Sequence, residues 1–302
     1  MSDCSYSAAG PRIAVAGATG RVGAALLAAL AEDPVNVVAL SRTASSDRLP
    51  LGTLIAKIDF DERATLSEAL EGADRLFLAH GTSDQQVKNE IAMIDAAVAA
   101  GVTHIVKLSA MGPPTRLHPF DWHMKIEAHL ANCNVGYTVL RPSCFMDVLT
   151  RAKAPVASGT WGGTAEDGRV NLIDTRDIAD VARAVLLDDD FPNAQRAYHL
   201  TGPGTVSMPE IADELCRLLG RTVVYTRRSR EEHRAVLLSS GVGEMVADLL
   251  LGLDRIFRES ALAETTTTVS DLTGKMPRSV VDWLLDHRDE FGLATQTATA
   301  TA

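Results

Sequence analysis

Three regularly spaced glycines, Gly17, Gly20 and Gly23, are the residues with the clearest chemical meaning. They follow an apolar run at residues 13–16 and open an Ala- and Leu-rich stretch at residues 22–32. In a strand–loop–helix of this kind, small residues let the backbone approach a pyrophosphate, and the helix N-terminus offers unpaired N–H groups. The pattern predicts a dinucleotide phosphate site. Its expected residues are Gly17, Thr19, Gly20, Arg21, Val22 and Gly23.

The end of the second apolar run indicates which dinucleotide fits. Ser41 and Arg42 stand where an acidic residue would hydrogen-bond the ribose 2′-hydroxyl of NAD. An Arg there favours a 2′-phosphate, and Arg21 adds a further donor, so we expect NADP(H) in preference to NAD(H). Two alternatives stay open: Arg42 could be a solvated surface residue, and the glycine loop could be a turn that binds nothing.

Apolar runs of strand length alternate with helical patterns along the first half of the chain. Strand–helix repetition requires right-handed crossovers and a mostly parallel sheet with helices on both faces. We therefore predict an α/β fold of the Rossmann type, a doubly wound parallel sheet with a smaller, mainly helical C-terminal lobe. The predicted strands are residues 13–16, 35–40, 54–58, 76–79, 105–108 and 137–140, and the predicted helices are residues 22–32, 63–70 and 84–100.

The second half of the chain has a looser pattern. A helix is expected at residues 175–187, a strand at 197–200, and a further helix after the capping-box pair Ser207 and Glu210. We assign residues 11–155 to the dinucleotide-binding domain, to which residues 170–200 return. Residues 201–293 form the lobe that covers the carboxyl edge of the sheet, where such folds bind ligands. Residues 1–10 and 294–302 are expected to be flexible tails.

The chain resembles the NmrA-like branch of the atypical short-chain dehydrogenase/reductases over about residues 11–290. Besides the glycine loop, the resemblance rests on Ser109, Asp121-Trp122-His123-Met124-Lys125, Leu140-Arg141-Pro142 and Asp177-Ile178-Ala179. The resemblance implies a dinucleotide-binding fold. It leaves the activity open, because some members of this branch reduce quinones, others reduce other small metabolites, and others only sense the dinucleotide. By the same resemblance, Asp59 and Phe60 flank the adenine, and Ala79, His80 and Gly81 line the dinucleotide, although His80 could be an ordinary edge residue.

The catalytic residues depart from the wider family, whose members carry Ser and Tyr-x-x-x-Lys. Lys125 matches the Lys, but Asp121 stands in place of the Tyr that donates the proton. An ionised Asp is a poor proton donor near neutral pH, so the usual Tyr mechanism is not expected. Isoflavone-reductase-like relatives keep only the Lys, which would make Lys125 the acid or base, or a ribose ligand. The alternative for Lys125 is an exposed helix residue paired with Asp121 or Glu127.

His123 and Ser109 are the other catalytic candidates. The unperturbed pKa of a histidine lies near neutrality, so His123 could handle the proton. Ser109 follows the strand at residues 105–108 and could donate to a substrate carbonyl, or could cap a turn. The leading prediction is an NAD(P)H-dependent oxidoreductase that reduces a small carbonyl, quinone or unsaturated substrate by hydride transfer. A non-catalytic NAD(P) sensor and an NAD(P)-dependent isomerase or epimerase are the alternatives.

Composition and cysteine spacing bear on whether the protein binds nucleic acid or metal, spans a membrane or is secreted. The 302 residues carry a net charge of −10, which disfavours nucleic-acid binding, and charges interrupt every apolar stretch, so no membrane span is expected. The four cysteines have no CxxC spacing and no secretory leader is apparent, which favours the cytoplasm. Without HExxH or zinc-like Cys/His spacing we predict no metal. The expected partner is a small-molecule substrate, and a homodimer is left open.

Overall fold

Parallel strands joined by helices form the dinucleotide-binding part of the chain. The computed structural model describes residues 10–43, 49–112, 120–192 and 194–292. Within these residues, seven parallel strands form one sheet in the order β10-β6-β5-β4-β1-β2-β3. The strands are β1 (Arg12–Ala16), β2 (Asn36–Ser41), β3 (Leu54–Lys57), β4 (Arg75–Leu78), β5 (His104–Leu108), β6 (Gly136–Pro142) and β10 (Gln195–Leu200).

Helices cover both faces of this sheet, which confirms the predicted Rossmann-type α/β fold. Leu66, Ile94 and Ile126, one residue from each of three helices, share a buried core with alternate strand residues. The helices of this unit are α1 (Arg21–Leu30), α2 (Arg63–Leu70), α3 (Gln86–Ala99), α4 (Phe120–Leu130), α6 (Thr175–Leu187) and α10 (Thr268–Thr273). The strand order reverses between β1 and β4, and such a reversal opens a crevice for ligands at the carboxyl ends of the strands.

The chain divides into two compact units. The first comprises residues up to Pro142, Thr175–Leu200 and Thr268–Lys275, and the second comprises Ser143–Asp174, Thr201–Thr267 and the residues from Met276 onward. The first unit ends at Pro142 rather than at residue 155, because β7 and β9 pair in a separate small sheet with β11. Those strands, with the pair β8 and β12, are β7 (Cys144–Phe145), β8 (Gly162–Gly163), β9 (Val170–Ile173), β11 (Thr205–Val206) and β12 (Thr226–Arg227).

The second unit is mainly helical. Its longer helices begin with side-chain or glycine caps, and the predicted capping box of Ser207 and Glu210 is present at the start of α7. The helices are α5 (Lys153–Ala157), α7 (Met208–Leu219), α8 (Arg230–Ser239), α9 (Glu244–Arg258), α11 (Val280–Asp286) and α12 (Arg288–Gly292), with a 3-10 helix at Met146–Ala152. Among the described helices, none combines the length and apolar character needed to cross a bilayer. Apart from residue 10, the expected tails at residues 1–10 and 294–302 lie outside the described residues.

Candidate dinucleotide and catalytic site

The glycine loop connects β1 to α1 at the point where the strand order reverses. Gly17 has a positive φ of 78°, and a Cβ there would lie 2.5 Å from the Ala79 carbonyl oxygen. A Cβ on Gly23 would lie 2.2 Å from the Gly17 carbonyl oxygen. Gly20 is the N-cap of α1, and its N–H donates to the Gly17 carbonyl at 2.9 Å. The loop therefore presents bare backbone at a helix N-terminus, an arrangement that fits a pyrophosphate.

The remaining loop residues differ in exposure. Val22 is buried, Thr19 is half-buried and Arg21 is exposed. Buried Val22 anchors the first turn of α1 to the core, while the two polar side chains lie at the surface of the loop. Both lie at the end from which the helix begins, where a phosphate would bind.

The residues predicted to select the cofactor lie at the ends of β2 and β3. The Ser41 side chain is buried and its Oγ accepts a hydrogen bond from the Thr43 N–H at 3.2 Å, whereas Arg42 is exposed. Asp59 is exposed, and its carboxylate accepts a hydrogen bond from the Asp61 N–H at 3.0 Å. The guanidinium of Arg42 is thus accessible to an anion at the position where NAD-specific sites carry a carboxylate.

His80 follows β4 and is held by two hydrogen bonds. Its Nδ1 lies 2.6 Å from the Gly81 carbonyl oxygen, so Nδ1 carries the proton, and Nε2 accepts from the Asn89 side-chain amide at 3.1 Å. The ring also makes an edge contact with Phe60, with 5.7 Å between centroids. Thus Phe60 and His80 form one wall beside Ala79, the residue that contacts Gly17.

Ser109 belongs to a network with Glu127 and Arg141. The Ser109 hydroxyl donates to the Glu127 carboxylate, which also accepts from the Arg141 Nε at 3.1 Å. The hydrogen bond with Glu127 raises the pKa of Arg141, so the guanidinium stays charged. Because the hydroxyl hydrogen of Ser109 is used in the bond to Glu127, Ser109 can accept a hydrogen bond from a ligand but cannot donate one. Donation to a substrate carbonyl, one of the two roles expected from the sequence, would require the bond to Glu127 to break.

Lys125 lies on the solvent side of α4. Its side chain is 62% exposed and its Nζ lies 3.4 Å from an Asp121 carboxylate oxygen, four residues earlier. This geometry is the alternative that the sequence left open, an exposed helix residue paired with Asp121. An exposed pair of this kind contributes little to stability, and the ammonium remains accessible to a ligand.

His123 lies on the opposite side of α4 and contacts Lys107, which pairs with Glu90; the sequence reasoning missed both residues. Its Nδ1 is 3.3 Å from Nζ of Lys107, which in turn lies 2.8 Å from a carboxylate oxygen of Glu90. Burial and the charge of Lys107 lower the pKa of His123 to about 3. The imidazole is therefore neutral near pH 7 and carries no extra proton to give to a substrate at that pH. A lysine inside the apolar strand at residues 105–108 was the available signal.

A possible ligand set for a cation joins α3 to the end of α4. The side-chain donor atoms of Asp95, His129 and Cys133 lie within 4.8 Å of one another. Spacing along the chain does not predict this group, because Asp95 lies on α3 whereas His129 lies on α4. His129 Nε2 already pairs with the Asp95 carboxylate at 2.7 Å, and the absence of a metal stays a prediction.

A Rossmann sheet with a glycine loop at its switch point defines a dinucleotide-binding protein. A sequence model of the NmrA-like family matches residues 10–287. The chain belongs to this family, as the sequence resemblance predicted. The NAD(P)H azoreductase of Xenophilus azovorans is 31% identical over 287 residues, covering 93% of this chain and 100% of that protein.

Two further proteins are similar over nearly their whole length. A (4-alkanoyl-5-oxo-2,5-dihydrofuran-3-yl)methyl phosphate reductase of Streptomyces griseus is 31% identical, covering 92% of this chain and 99% of the relative. The crystal structure of an NADPH-dependent quinone oxidoreductase from Escherichia coli has a TM-score of 0.81 and 26% identity, covering 92% and 99%. These relatives confirm the predicted enzyme class, an NAD(P)H-dependent oxidoreductase.

Proposed function

We propose that this protein is an NADPH-dependent reductase of a small, conjugated electron acceptor. The observation that carries the proposal is the glycine loop from Gly17 to Gly23, where a Cβ at either end would collide with backbone. When bound there, the dinucleotide supplies a hydride, and the protein supplies binding, orientation and electrostatics. Quinone and azo compounds are the first acceptors to test, since the similar proteins include a quinone oxidoreductase and an azoreductase.

The preference for NADPH rests on the end of β2. The exposed guanidinium of Arg42 can pair with the 2′-phosphate in two-point geometry, and it stands where NAD-specific sites carry a carboxylate. In this proposal Ser41 lies beside the 2′-phosphate, and its side chain is held in place by the hydrogen bond from the Thr43 N–H. In this proposal Asp59 and Phe60 flank the adenine, and Ala79, His80 and Gly81 line the dinucleotide.

The catalytic candidates then have different tasks. Lys125, with its exposed ammonium, is suited to hold a ribose hydroxyl or a substrate anion rather than to lose a proton. Ser109 accepts from a hydroxyl or amide of the bound molecules. His123 is neutral and can donate a hydrogen bond without being charged.

The test is the rate of cofactor oxidation by the purified protein with a quinone, an azo dye and a simple aldehyde. We expect turnover with at least one conjugated acceptor and a kcat/KM for NADPH about tenfold above that for NADH, a difference of about 1.4 kcal/mol. Tight NADPH binding with no consumption in the presence of any acceptor would contradict a reductase and favour a sensor. Epimerisation without net cofactor turnover would favour an isomerase.

We also propose a cytoplasmic protein with a small-molecule substrate as its partner. The cysteines Cys133, Cys144 and Cys216 are free thiols, as expected in a reducing compartment. The absence of nucleic-acid binding, the homodimer and the covering role of residues 201–293 stay predictions.

A further inference from the structure

A fully buried ion pair lies inside the dinucleotide-binding unit. Lys107 of β5 and Glu90 of α3 both have side chains that are 0% exposed, with 2.8 Å between Nζ and Oε2. The second carboxylate oxygen of Glu90 accepts from the Gln86 amide at 2.9 Å. The free energy of removing two charges from water often exceeds their mutual attraction, so a buried ion pair is weak evidence for a role in stability. Buried charged groups are instead concentrated at functional sites.

The pair lies just below the ligand-binding edge of the sheet. Lys107 is in register with Leu78 of β4, and Leu78 is in register with Ala16 of β1, the residue before Gly17. Only one residue of β5 separates Lys107 from Ser109 at the carboxyl end. The ammonium is therefore one layer beneath the edge at which the glycine loop lies.

Contact with Lys107 determines which nitrogen of His123 carries the proton. An ammonium can only donate, so Nδ1 of His123, 3.3 Å from Nζ, must accept and the proton must be on Nε2. Among the residues that the structure describes, no polar atom is hydrogen-bonded to Nε2. The imidazole thus has one nitrogen fixed by a buried cation, and among the described residues the other nitrogen has no hydrogen-bond acceptor.

We propose that Lys107 and Glu90 are positioning residues that hold His123 as a neutral imidazole whose Nε2–H donates a hydrogen bond to the substrate atom that becomes negative during reduction. The inference rests on the proposed function. The acceptor gains a hydride with its electron pair and then a proton from water, so the imidazole keeps its own proton. A donor that is aimed beforehand at developing charge stabilises a transition state more than the ground state.

The surrounding groups make His123 the most suitable donor of the three candidates. The Ser109 hydrogen is engaged by Glu127, and Lys125 lies on the exposed side of the helix. Within the part of the chain that the structure describes, the charged groups near His123 are Lys107 from β5, Glu90 behind Lys107 from α3, and Glu127 one turn later on α4. Burial first, and then the charge of Lys107, lower the pKa of His123 and keep the imidazole neutral.

Nitrogen-15 NMR of histidine-labelled protein without cofactor tests the positioning directly. We expect His123 to show the Nε2–H tautomer with no titration from about pH 5 to 8. In the double variant Lys107→Met, Glu90→Gln, which removes both charges together, His123 should titrate nearer its ordinary pKa. His123→Gln, which removes only the resonances of that histidine, identifies them. Titration of wild-type His123 near pH 6.5 would overturn the inference even if the double variant fails to fold.

Kinetics test the catalytic half of the inference. His123→Phe should lower kcat with the best acceptor about 100-fold and leave the Kd for NADPH unchanged. His123→Gln, whose amide N–H can take the place of Nε2–H, should recover about tenfold of that loss, and His287→Gln, a histidine at the end of α11, should match wild type. An unchanged kcat in His123→Phe, with NADPH still bound, would overturn the inference alone. Failure of the wild type to bind NADPH would instead overturn the proposed function.

Discussion

Gly23 has the least room of any residue in the dinucleotide loop. A Cβ there would meet the Gly17 carbonyl oxygen at 2.2 Å and the Ala18 Cα at 2.9 Å, so backbone rather than a flexible side chain would have to move. The same close approach lets α1 begin directly beneath the proposed pyrophosphate. A larger residue at position 23 would therefore disturb both the packing of α1 and the proposed pyrophosphate site.

We predict that Gly23→Ala raises the Kd for NADPH at least about tenfold and lowers the free energy of unfolding by about 1–3 kcal/mol. Isothermal titration and urea denaturation measure the two effects. Gly204→Ala is the matched control, because a Cβ there meets nothing within 4 Å, and its effect on stability should stay within about 0.5 kcal/mol. Equal behaviour of the two variants would contradict the crowding described for Gly23.

At the residue scale, local patterns predicted the glycine loop but not the partners of the polar side chains. Lys125 and Asp121 are four residues apart, so their pairing could be anticipated from helical geometry. Lys107 and Glu90 are brought together by the packing of a helix on a strand. Sequence spacing carries no direct record of that contact, and only the lysine within an apolar strand pointed to it.

The C-terminus of α6 is closed by a buried arginine from β4. The Arg75 guanidinium donates to the carbonyl oxygens of Leu186 and Asp188, and it pairs with the Asp189 carboxylate at 2.6 Å. Its side chain is 6% exposed, whereas that of Asp189 is 94% exposed. The bonds to the helix-terminal carbonyls therefore contribute more than the ion pair, because solvent screens the exposed carboxylate.

We predict that Arg75→Met lowers the free energy of unfolding by about 2 kcal/mol, since it leaves buried carbonyls without a donor. The midpoint of urea denaturation provides the measurement. Lys88→Met removes an exposed pair with Asp61, at 3.1 Å, and should cost less than about 0.5 kcal/mol. A loss for Arg75→Met no larger than that of this control would show that α6 does not need the cap.

At the element scale, helices with a clear amphipathic pattern were predicted well. The bounds of α2 and α6 agree with the predicted residues 63–70 and 175–187. The two-residue strands β7, β8, β11 and β12 were missed, since so short a pairing depends on which segment lies beside it rather than on a periodic pattern. For the same reason the sequence predicted a first unit that extends to residue 155, whereas the first compact unit ends at Pro142.

Two buried histidines connect the stability of the whole molecule to pH. Burial first, and then the charges of Arg75 and Arg196, lower the pKa of His104 to about 4, and His123 is shifted in the same direction to about 3. Below about pH 6.5 the unfolded chain takes up protons that the folded chain refuses. The folded state therefore loses stability as pH falls, and this loss is absent above the unfolded pKa.

We predict that the free energy of unfolding falls between about pH 7 and 5 with a slope approaching 1.4 kcal/mol per pH unit for each buried histidine. His104→Gln keeps a donor for Thr138, which lies 3.0 Å from Nε2, and should make the decline shallower. Urea denaturation at several pH values tests both statements. A stability that is flat over this range, or an unchanged slope in the variant, would contradict the neutral buried state of His104.

The central claim, that this chain is built to bind NADPH, is tested most directly by isothermal titration with NADPH and NADH. Wild type should bind NADPH at least about tenfold more tightly than NADH. Arg42→Ala should remove most of that preference by weakening NADPH alone, whereas Arg63→Ala, an exposed arginine at the start of α2, should change neither affinity. Absence of binding to either dinucleotide would contradict the account.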